Sequence, residues 1–250
     1  MAARGINVAV SLGGWVLLGL LAWHFRERLF FKVDSLFSKH SQAVEWAHIV
    51  QAKKANLDQV RWQDRRPLIL MLGDSQVEMG AWYELFSGRF AIRNAGLSQA
   101  KIADVACLAG ATAEIHPEVV VLMCGINDLG AGRSVDDASK DYLQLLSQIL
   151  ADLRPNRIVA LSVMPVARRR IADGSHDLNA RGRALNACIH DHCMKLGITF
   201  LDVSPAVSEN GTLSDALTSD GLHLNPPGYR KLAQWMEPLL LETYGKIQEN

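Results

Sequence analysis

Ser75 ends the segment 68–75, in which an apolar run without internal charge, residues 68–72, stops abruptly at Gly-Asp-Ser. Such a run predicts a buried parallel strand that leads into a tight turn. In an open α/β sheet, reactive groups are displayed at the C-terminal edge of the strands. A serine there is a candidate nucleophile, but it needs a base and an oxyanion site to react with an ester. Ser75 must therefore find partners elsewhere in the chain.

Three other motifs supply residue types that fit those partners. His223 could act as the base, and Asp220, three residues before it, is close enough in sequence to hold the imidazole in one tautomer. Gly96 follows the second apolar segment and could offer an unobstructed backbone N–H, while Asn127 follows the third and could offer a side-chain amide. Serine, histidine and acid in these roles form a catalytic triad, which is recognised by geometry rather than by chain order.

Each motif, taken alone, also has a structural explanation that involves no catalysis. Gly-Asp-Ser and Asp-Gly are ordinary turn sequences, and Asn127 with Asp128 could simply cap a loop. The segment 188–193, with two cysteines and two histidines, suggests zinc at first sight. On a helix, however, Cys188 and His192 share one face with apolar residues while His190 points elsewhere, so the sequence favours a helix packed on the core. The joint occurrence of all four motifs favours catalysis without a metal or another cofactor.

Strands and helices alternate from Leu68 onward, which predicts a parallel sheet covered by helices on both faces. Helices are expected at about 77–86, 101–115, 135–153 and 180–196, with Gly197 as a C-cap and a final helix opened by Pro226. Residues 164–179 are expected to form a basic, irregular loop. The strands that precede these segments should place the four motifs at one edge of the sheet.

Together, the motifs at 73–75, 94–96, 125–128 and 220–223 resemble the four signature blocks of the SGNH (GDSL-type) hydrolases, in the family's order and spacing. The resemblance covers about residues 67–245. It implies a flavodoxin-like three-layer sandwich with a central parallel sheet of about five strands. It also implies Ser75 as nucleophile, His223 as base and Asp220 as orienting acid, with an oxyanion hole formed by the Ser75 and Gly96 amides and the Asn127 side chain.

The residue after the nucleophile departs from the family pattern. Gln76 stands where the family often has leucine, which could reshape the floor of the pocket but leaves the catalytic roles intact. The resemblance implies an esterase, and we expect O-acetyl groups on envelope carbohydrate as its substrate. A lysophospholipase or thioesterase, a carbohydrate O-acetyltransferase and an inactive glycan-binding subunit stay open as alternatives.

The N-terminal segment has the composition of a membrane anchor. Residues 5–25 carry no formal charge and are long enough to cross a bilayer core of roughly 30 Å. We expect an anchor at 1–25, a basic helical stalk or spacer at 26–66 and a hydrolase domain at 67–250. Basic residues after the span favour a cytoplasmic domain, whereas the family resemblance favours the periplasmic or extracellular side, which is the orientation we expect.

The overall composition narrows the partners and the redox chemistry. The 26 basic residues balance the 26 acidic ones, so nothing indicates a nucleic-acid partner. Four irregularly spaced cysteines are too few for a disulfide framework, and we expect them to be free. The expected partners are thus an ester substrate and, through the N-terminal helix, a lipid bilayer.

Overall fold

The computed structural model describes residues 47–57, 66–155, 157–172 and 177–248 of the 250-residue chain. Within these residues, five parallel strands form one sheet in the order β2-β1-β3-β4-β5. The predicted α/β class with a five-stranded parallel sheet is therefore confirmed. A separate antiparallel hairpin pairs two short strands, β6 and β7. The strands are β1 (Leu68–Gly73), β2 (Ala91–Gly96), β3 (Val119–Met123), β4 (Arg157–Leu161), β5 (Thr199–Leu201), β6 (Ser208–Glu209) and β7 (Thr212–Leu213).

Helices connect the strands and cover the sheet. Their bounds are α1 (47–57), α2 (Ser75–Glu78), α3 (Trp82–Leu85), α4 (Ile102–Ala111), α5 (Ile126–Gly130), α6 (Val135–Asp152), α7 (Arg168–Ala172), α8 (Leu178–Leu196), α9 (Ser204–Val207) and α10 (Pro226–Gln248). Single 3₁₀ turns follow α4 and β7. Gly197 ends α8 with a left-handed φ of 68°, which confirms the predicted glycine cap.

The central strands are apolar throughout because both of their faces are covered. All six residues of β1 and all five of β3 are buried, as expected for strands inside a parallel sheet. Ile69 and Met71 pack into a core with Met236 of α10 and Trp82 of α3. The alternate residues of β1 face the other way, toward the side of the sheet where α6 contacts both α4 and α8. The result is a three-layer α/β fold.

Two regions differ from the predicted elements. The helix expected at 77–86 is broken into α2 and α3 at Gly80, where a Cβ would lie 2.3 Å from the Trp82 indole. That indole donates to the Val77 carbonyl at 2.8 Å, which requires the chain to turn back. The segment 164–179, expected to be irregular, contains α7, whose three arginines give no apolar periodicity from which a helix could be predicted.

The helix α8 explains the cysteine- and histidine-rich segment. Cys193 is fully buried, His192 Nε2 lies 2.8 Å from Ser139 Oγ, and the His190 ring meets Phe200 edge-on. The three side chains therefore point to different neighbours. All four cysteines are free thiols, and in the ranges that the structure describes no group of three His, Cys, Asp or Glu is placed to hold a metal.

The predicted anchor at residues 1–25 lies outside the described residues, as does most of the predicted stalk at 26–66. Of that stalk, the structure describes α1 and Arg66. Among the helices of the described ranges, none combines the length and the apolar character needed to cross a membrane.

Candidate active site

The turn after β1 places Ser75 at the C-terminal edge of the sheet. Gly73 ends the strand where a Cβ would lie 2.0 Å from the Met123 carbonyl oxygen, so only glycine fits. Asp74 then caps α2 by accepting the Gln76 N–H at 2.9 Å, the usual role of aspartate at a helix N-cap. Ser75 is the first residue of α2, so its N–H has no carbonyl partner within the helix.

Asp74 is itself buried, with 1% of its surface exposed. Burial raises the pKa of this carboxyl to about 7, with the Gln76 N–H opposing the shift and the neighbouring Asp128 adding to it. The nucleophile turn therefore contains an acid that titrates near neutral pH.

Ser75, His223 and Asp220 form a continuous chain of hydrogen bonds. Ser75 Oγ lies 2.9 Å from His223 Nε2, and His223 Nδ1 lies 2.6 Å from Asp220 Oδ2. The structure thus brings together three residues that the sequence separates by up to 148 positions. An ionised carboxylate only accepts hydrogen bonds, so Asp220 holds the proton on Nδ1 and leaves Nε2 to accept from the serine hydroxyl.

Backbone amides fix the orientation of Asp220. Its Oδ1 accepts the N–H groups of Leu222 at 2.9 Å and of His223 at 2.8 Å. Desolvation raises the pKa of this carboxyl, but the hydrogen bonds from the His223 side chain and from the two amides outweigh it. The pKa of Asp220 therefore lies well below its ordinary value, and the group is a carboxylate at neutral pH.

The loop that carries His223 is supported by residues that the sequence did not single out. Thr218 Oγ1 donates to the His223 carbonyl at 2.6 Å and accepts the Gly221 N–H at 2.9 Å. Just before α7, the Ala167 N–H donates to the Gly221 carbonyl at 2.8 Å. Within α7, Arg169 Nη2 donates to the Thr218 carbonyl at 3.3 Å. The basic segment around α7 therefore packs on the histidine loop.

Asn127 lies in α5, directly after β3. Its Nδ2 donates to the Ala100 carbonyl at 2.9 Å, which fixes the plane of the amide and leaves a second N–H on the same nitrogen. The neighbouring Asp128 is fully buried and accepts the Ile102 N–H at 2.9 Å. Asp128 thereby ties α5 to the start of α4, and the sequence had offered no more than a loop cap for it.

Gly96 is arranged differently from the sequence-based expectation. Its N–H donates to Asn94 Oδ1 at 2.9 Å, so in this conformation the amide is not available to a substrate oxyanion. A Cβ on Gly96 would lie 2.1 Å from the Glu78 backbone nitrogen. The amide of Asn94 also donates to the carbonyls of Val77, Glu78 and Gly80 at 3.0, 3.1 and 3.0 Å. This motif therefore buttresses the end of α2 behind Ser75.

In the turn that follows, two backbone amides are also committed. The Leu97 N–H donates to the Gly73 carbonyl and the Ala100 N–H to that of Leu97. Gln99, between them, has a left-handed φ of 62°, which is uncommon for a residue other than glycine.

A cavity of about 250 Å³ adjoins the candidate oxyanion donor and the histidine loop. It reaches Asn127 and Leu222, the residue before His223, and its walls are otherwise mostly apolar with one basic side chain. The lining residues are Ile126, Asn127, Gly130, Val166, Arg170, Leu178 and Leu222.

Solved structures with the same fold cover most of this chain. A Streptococcus pneumonia protein provisionally described as a platelet activating factor is 24% identical, with a TM-score of 0.69 over 79% of this chain and 94% of its own. A GDSL-like lipase from Bacteroides thetaiotaomicron is 19% identical, with a TM-score of 0.62 over 76% and 97%. A carbohydrate esterase family 3 protein from Talaromyces cellulolyticus is 20% identical, with a TM-score of 0.58 over 72% and 99%. At these identities the likeness shows the fold alone.

A comparison with curated proteins found no significant match. The model of the GDSL-like Lipase/Acylhydrolase family matches residues 71–231. That range is well over half of the chain and contains all four motifs, as the resemblance to the SGNH hydrolases implied. The chain therefore belongs to the GDSL-like lipase/acylhydrolase family of ester-hydrolysing serine hydrolases.

Proposed function

We propose that the protein hydrolyses O-acyl esters through an acyl-enzyme on Ser75. The observation that carries the proposal is the hydrogen-bonded chain from Ser75 Oγ through the His223 imidazole to Asp220. Ser75 Oγ attacks the ester carbonyl while its proton moves to His223 Nε2. The tetrahedral adduct then expels the alcohol, which takes that proton from His223.

The second half of the cycle uses the same residues with water. A water molecule gives a proton to His223 Nε2 and attacks the acyl carbonyl. The new tetrahedral adduct collapses, the carboxylic acid leaves, and Ser75 Oγ recovers its proton. Asp220 keeps the imidazole in the productive tautomer and stabilises the imidazolium that forms in both halves.

The oxyanion needs preorganised donors beside Ser75. The Ser75 N–H at the start of α2 and the second N–H of Asn127 Nδ2 are the donors that we propose for this role. Since the Gly96 N–H is committed to Asn94, we assign Gly96 to supporting the turn. Our candidate for a third donor is the Gln99 N–H, because the carbonyl of the next residue, Ala100, accepts the hydrogen bond from Asn127 Nδ2.

For the substrate we propose an O-acetyl ester on carbohydrate. Proteins with similar folds include an acetyl esterase, a carbohydrate esterase family 3 protein and a carbohydrate acetylesterase family member. They support this choice by analogy of fold only. The small acetyl group requires little room beside Asn127.

A second candidate is a longer acyl ester, as in a lysophospholipid or a thioester. The apolar walls of the cavity beside Asn127 and Leu222 favour it, because about 250 Å³ exceeds what an acetyl group fills. A carbohydrate O-acetyltransferase would use the same acyl-enzyme with a sugar hydroxyl in place of water. An inactive glycan-binding subunit would retain the fold but would not hydrolyse any ester.

We further propose that residues 1–25 anchor the enzyme to a membrane, with the catalytic domain on the periplasmic or extracellular side. The support is the uncharged run at residues 5–25, which is long enough to span. Fusion of a reporter that is active on only one side of the membrane to the C-terminus tests the orientation. Activity of a reporter that works only in the cytoplasm would show that the catalytic domain lies on the cytoplasmic side, opposite to the proposed orientation.

The function is tested with p-nitrophenyl esters from acetyl to decanoyl and the purified full-length protein. Serine-dependent hydrolysis that falls steeply beyond acetyl supports an acetylesterase, whereas rates that persist with chain length favour the lipid candidate. Acetyl transfer to an added sugar in excess of acetate release would indicate the transferase. Ser75→Ala should be inactive, and the nearby Ser98→Ala is the matched control. If wild type and Ser75→Ala were equally inactive, the result would favour the inactive glycan-binding subunit.

A further inference from the structure

Gln76, directly after the nucleophile, is the residue that departs from the family pattern, and it is buried with 3% of its surface exposed. Its side chain leaves the nucleophile turn and crosses to the histidine loop, where Nε2 donates to the Leu222 carbonyl at 2.7 Å. Because a carbonyl oxygen only accepts, the amide nitrogen must face Leu222. One side chain thus joins two segments that are 146 residues apart in sequence.

The backbone of Gln76 is held as firmly as its side chain. Its N–H donates to Asp74 Oδ1 at 2.9 Å, and its carbonyl accepts the Tyr229 hydroxyl of α10 at 2.8 Å. The amide therefore extends from a fixed base, and the Leu222 carbonyl cannot move without breaking its bond to Nε2.

The position of that bond relates it to catalysis. Leu222 immediately precedes His223, so the bond from Gln76 to Leu222 runs beside the 2.9 Å contact between Ser75 and His223. Both bonds connect the same two segments. Small misplacements of a reacting group lower rates steeply, so a second connection there restrains the distance between nucleophile and base.

The oxygen atom of the Gln76 side-chain amide lowers the stability of the fold. Its Oε1 is buried and has no hydrogen-bond partner among the residues that the structure describes, and an unsatisfied buried acceptor disfavours folding. A leucine at this position would avoid that cost. This loss of stability indicates that packing alone does not explain a glutamine at position 76.

We propose that Gln76 is a positioning residue that holds the Leu222–His223 backbone in register with Ser75. The inference rests on the proposed function, since it requires His223 to act on Ser75. It makes Gln76 a contributor to the rate without direct contact with the substrate.

The experiment compares Gln76→Leu with wild type in kcat, KM, melting temperature and the rate of labelling by a fluorophosphonate. We expect kcat and the labelling rate to fall about ten- to hundred-fold, with KM little changed. The melting temperature should stay close to that of wild type, because the lost bond to the Leu222 carbonyl is offset by removal of the unsatisfied Oε1. Gln148→Leu is the matched control, because Gln148 Nε2 also donates to a backbone carbonyl, that of Ala106 at 3.1 Å. It should leave kcat unchanged.

Gln76→Glu supplies a readout that a purely structural role would not move. An ionised glutamate cannot donate to the Leu222 carbonyl, whereas a protonated one can. The activity of this variant relative to wild type should therefore rise as the pH falls. The variant also tests the proposal if Gln76→Leu does not fold.

Wild-type kcat and labelling rate in folded Gln76→Leu, or a pH-independent activity ratio for Gln76→Glu, would overturn the proposal. Failure of the proposed function is a different result, since wild type would then show no Ser75-dependent labelling at all.

Discussion

Replacement of Asn127 by alanine is the sharpest test of the proposed oxyanion hole. One N–H of the Asn127 amide is held by the Ala100 carbonyl at 2.9 Å, and the side chain lines the cavity beside the histidine loop. Loss of one such donor lowers kcat by about 10²–10³, or about 2.7–4 kcal/mol of transition-state stabilisation. Because the donor acts mainly when charge develops on the oxygen, KM should change little.

The same substitution has a small, calculable effect on folding. The Ala100 carbonyl loses one neutral hydrogen bond, which contributes about 1 kcal/mol, against a total stability of roughly 5–15 kcal/mol. For a domain of this size that corresponds to a shift in melting temperature of about 2–4 °C. The protein should therefore remain folded at assay temperature, and the activity loss can be attributed to the site.

The assay is steady-state hydrolysis of p-nitrophenyl acetate, with thermal unfolding measured on the same samples. Asn127→Asp is the informative second variant. It is nearly isosteric but can no longer donate when ionised, and its charge would repel the oxyanion, so its kcat should be lower still than that of Asn127→Ala. A kcat for Asn127→Ala within about threefold of wild type would refute the assignment of Asn127 as an oxyanion donor.

Three further substitutions test other parts of the structure. Asp220→Asn retains an acceptor for the loop amides but favours the wrong imidazole tautomer, so kcat should fall about 10³–10⁴ in the same ester assay; a loss below tenfold would argue against a triad. Gly96→Ala keeps its N–H but places a Cβ 2.1 Å from the Glu78 nitrogen. Thermal unfolding should therefore show about 1–3 kcal/mol of destabilisation. A wild-type melting temperature would contradict the packing role of Gly96. Asp74→Asn tests the buried acid. Because burial raises its folded pKa to about 7, the unfolded carboxyl ionises first, and wild type should lose stability relative to the variant as the pH rises from about 4 to 7. Urea unfolding at several pH values measures this loss, and a constant difference between the two proteins would contradict it.

The sequence was sufficient for the features that depend on local pattern. The apolar run that leads into Gly73 and the valine-rich run of β3 predicted strands buried on both faces, and both are interior strands of the sheet. Strand–helix alternation then dictated a parallel sheet. The short spacing between Asp220 and His223 similarly predicted their contact, because the two residues share one turn.

Features that depend on which partner a polar group finds could not be predicted. The Gly96 motif has the expected spacing, but Asn94 folds back to accept the Gly96 N–H, and no sequence pattern shows this. The bond from Gln76 to Leu222 joins distant segments, so the sequence showed only an unusual residue after the nucleophile. The break at Gly80 follows from the indole of Trp82 reaching the Val77 carbonyl, which an apolar periodicity does not reveal.

The most direct measurement is the mapping of fluorophosphonate adducts on the purified full-length protein by peptide mass spectrometry. We predict one adduct, on Ser75, that forms in wild type and is lost in both Ser75→Ala and His223→Ala. The absence of an adduct from folded wild type, or its appearance on another serine such as Ser98, would contradict the claim that Ser75 is an activated nucleophile.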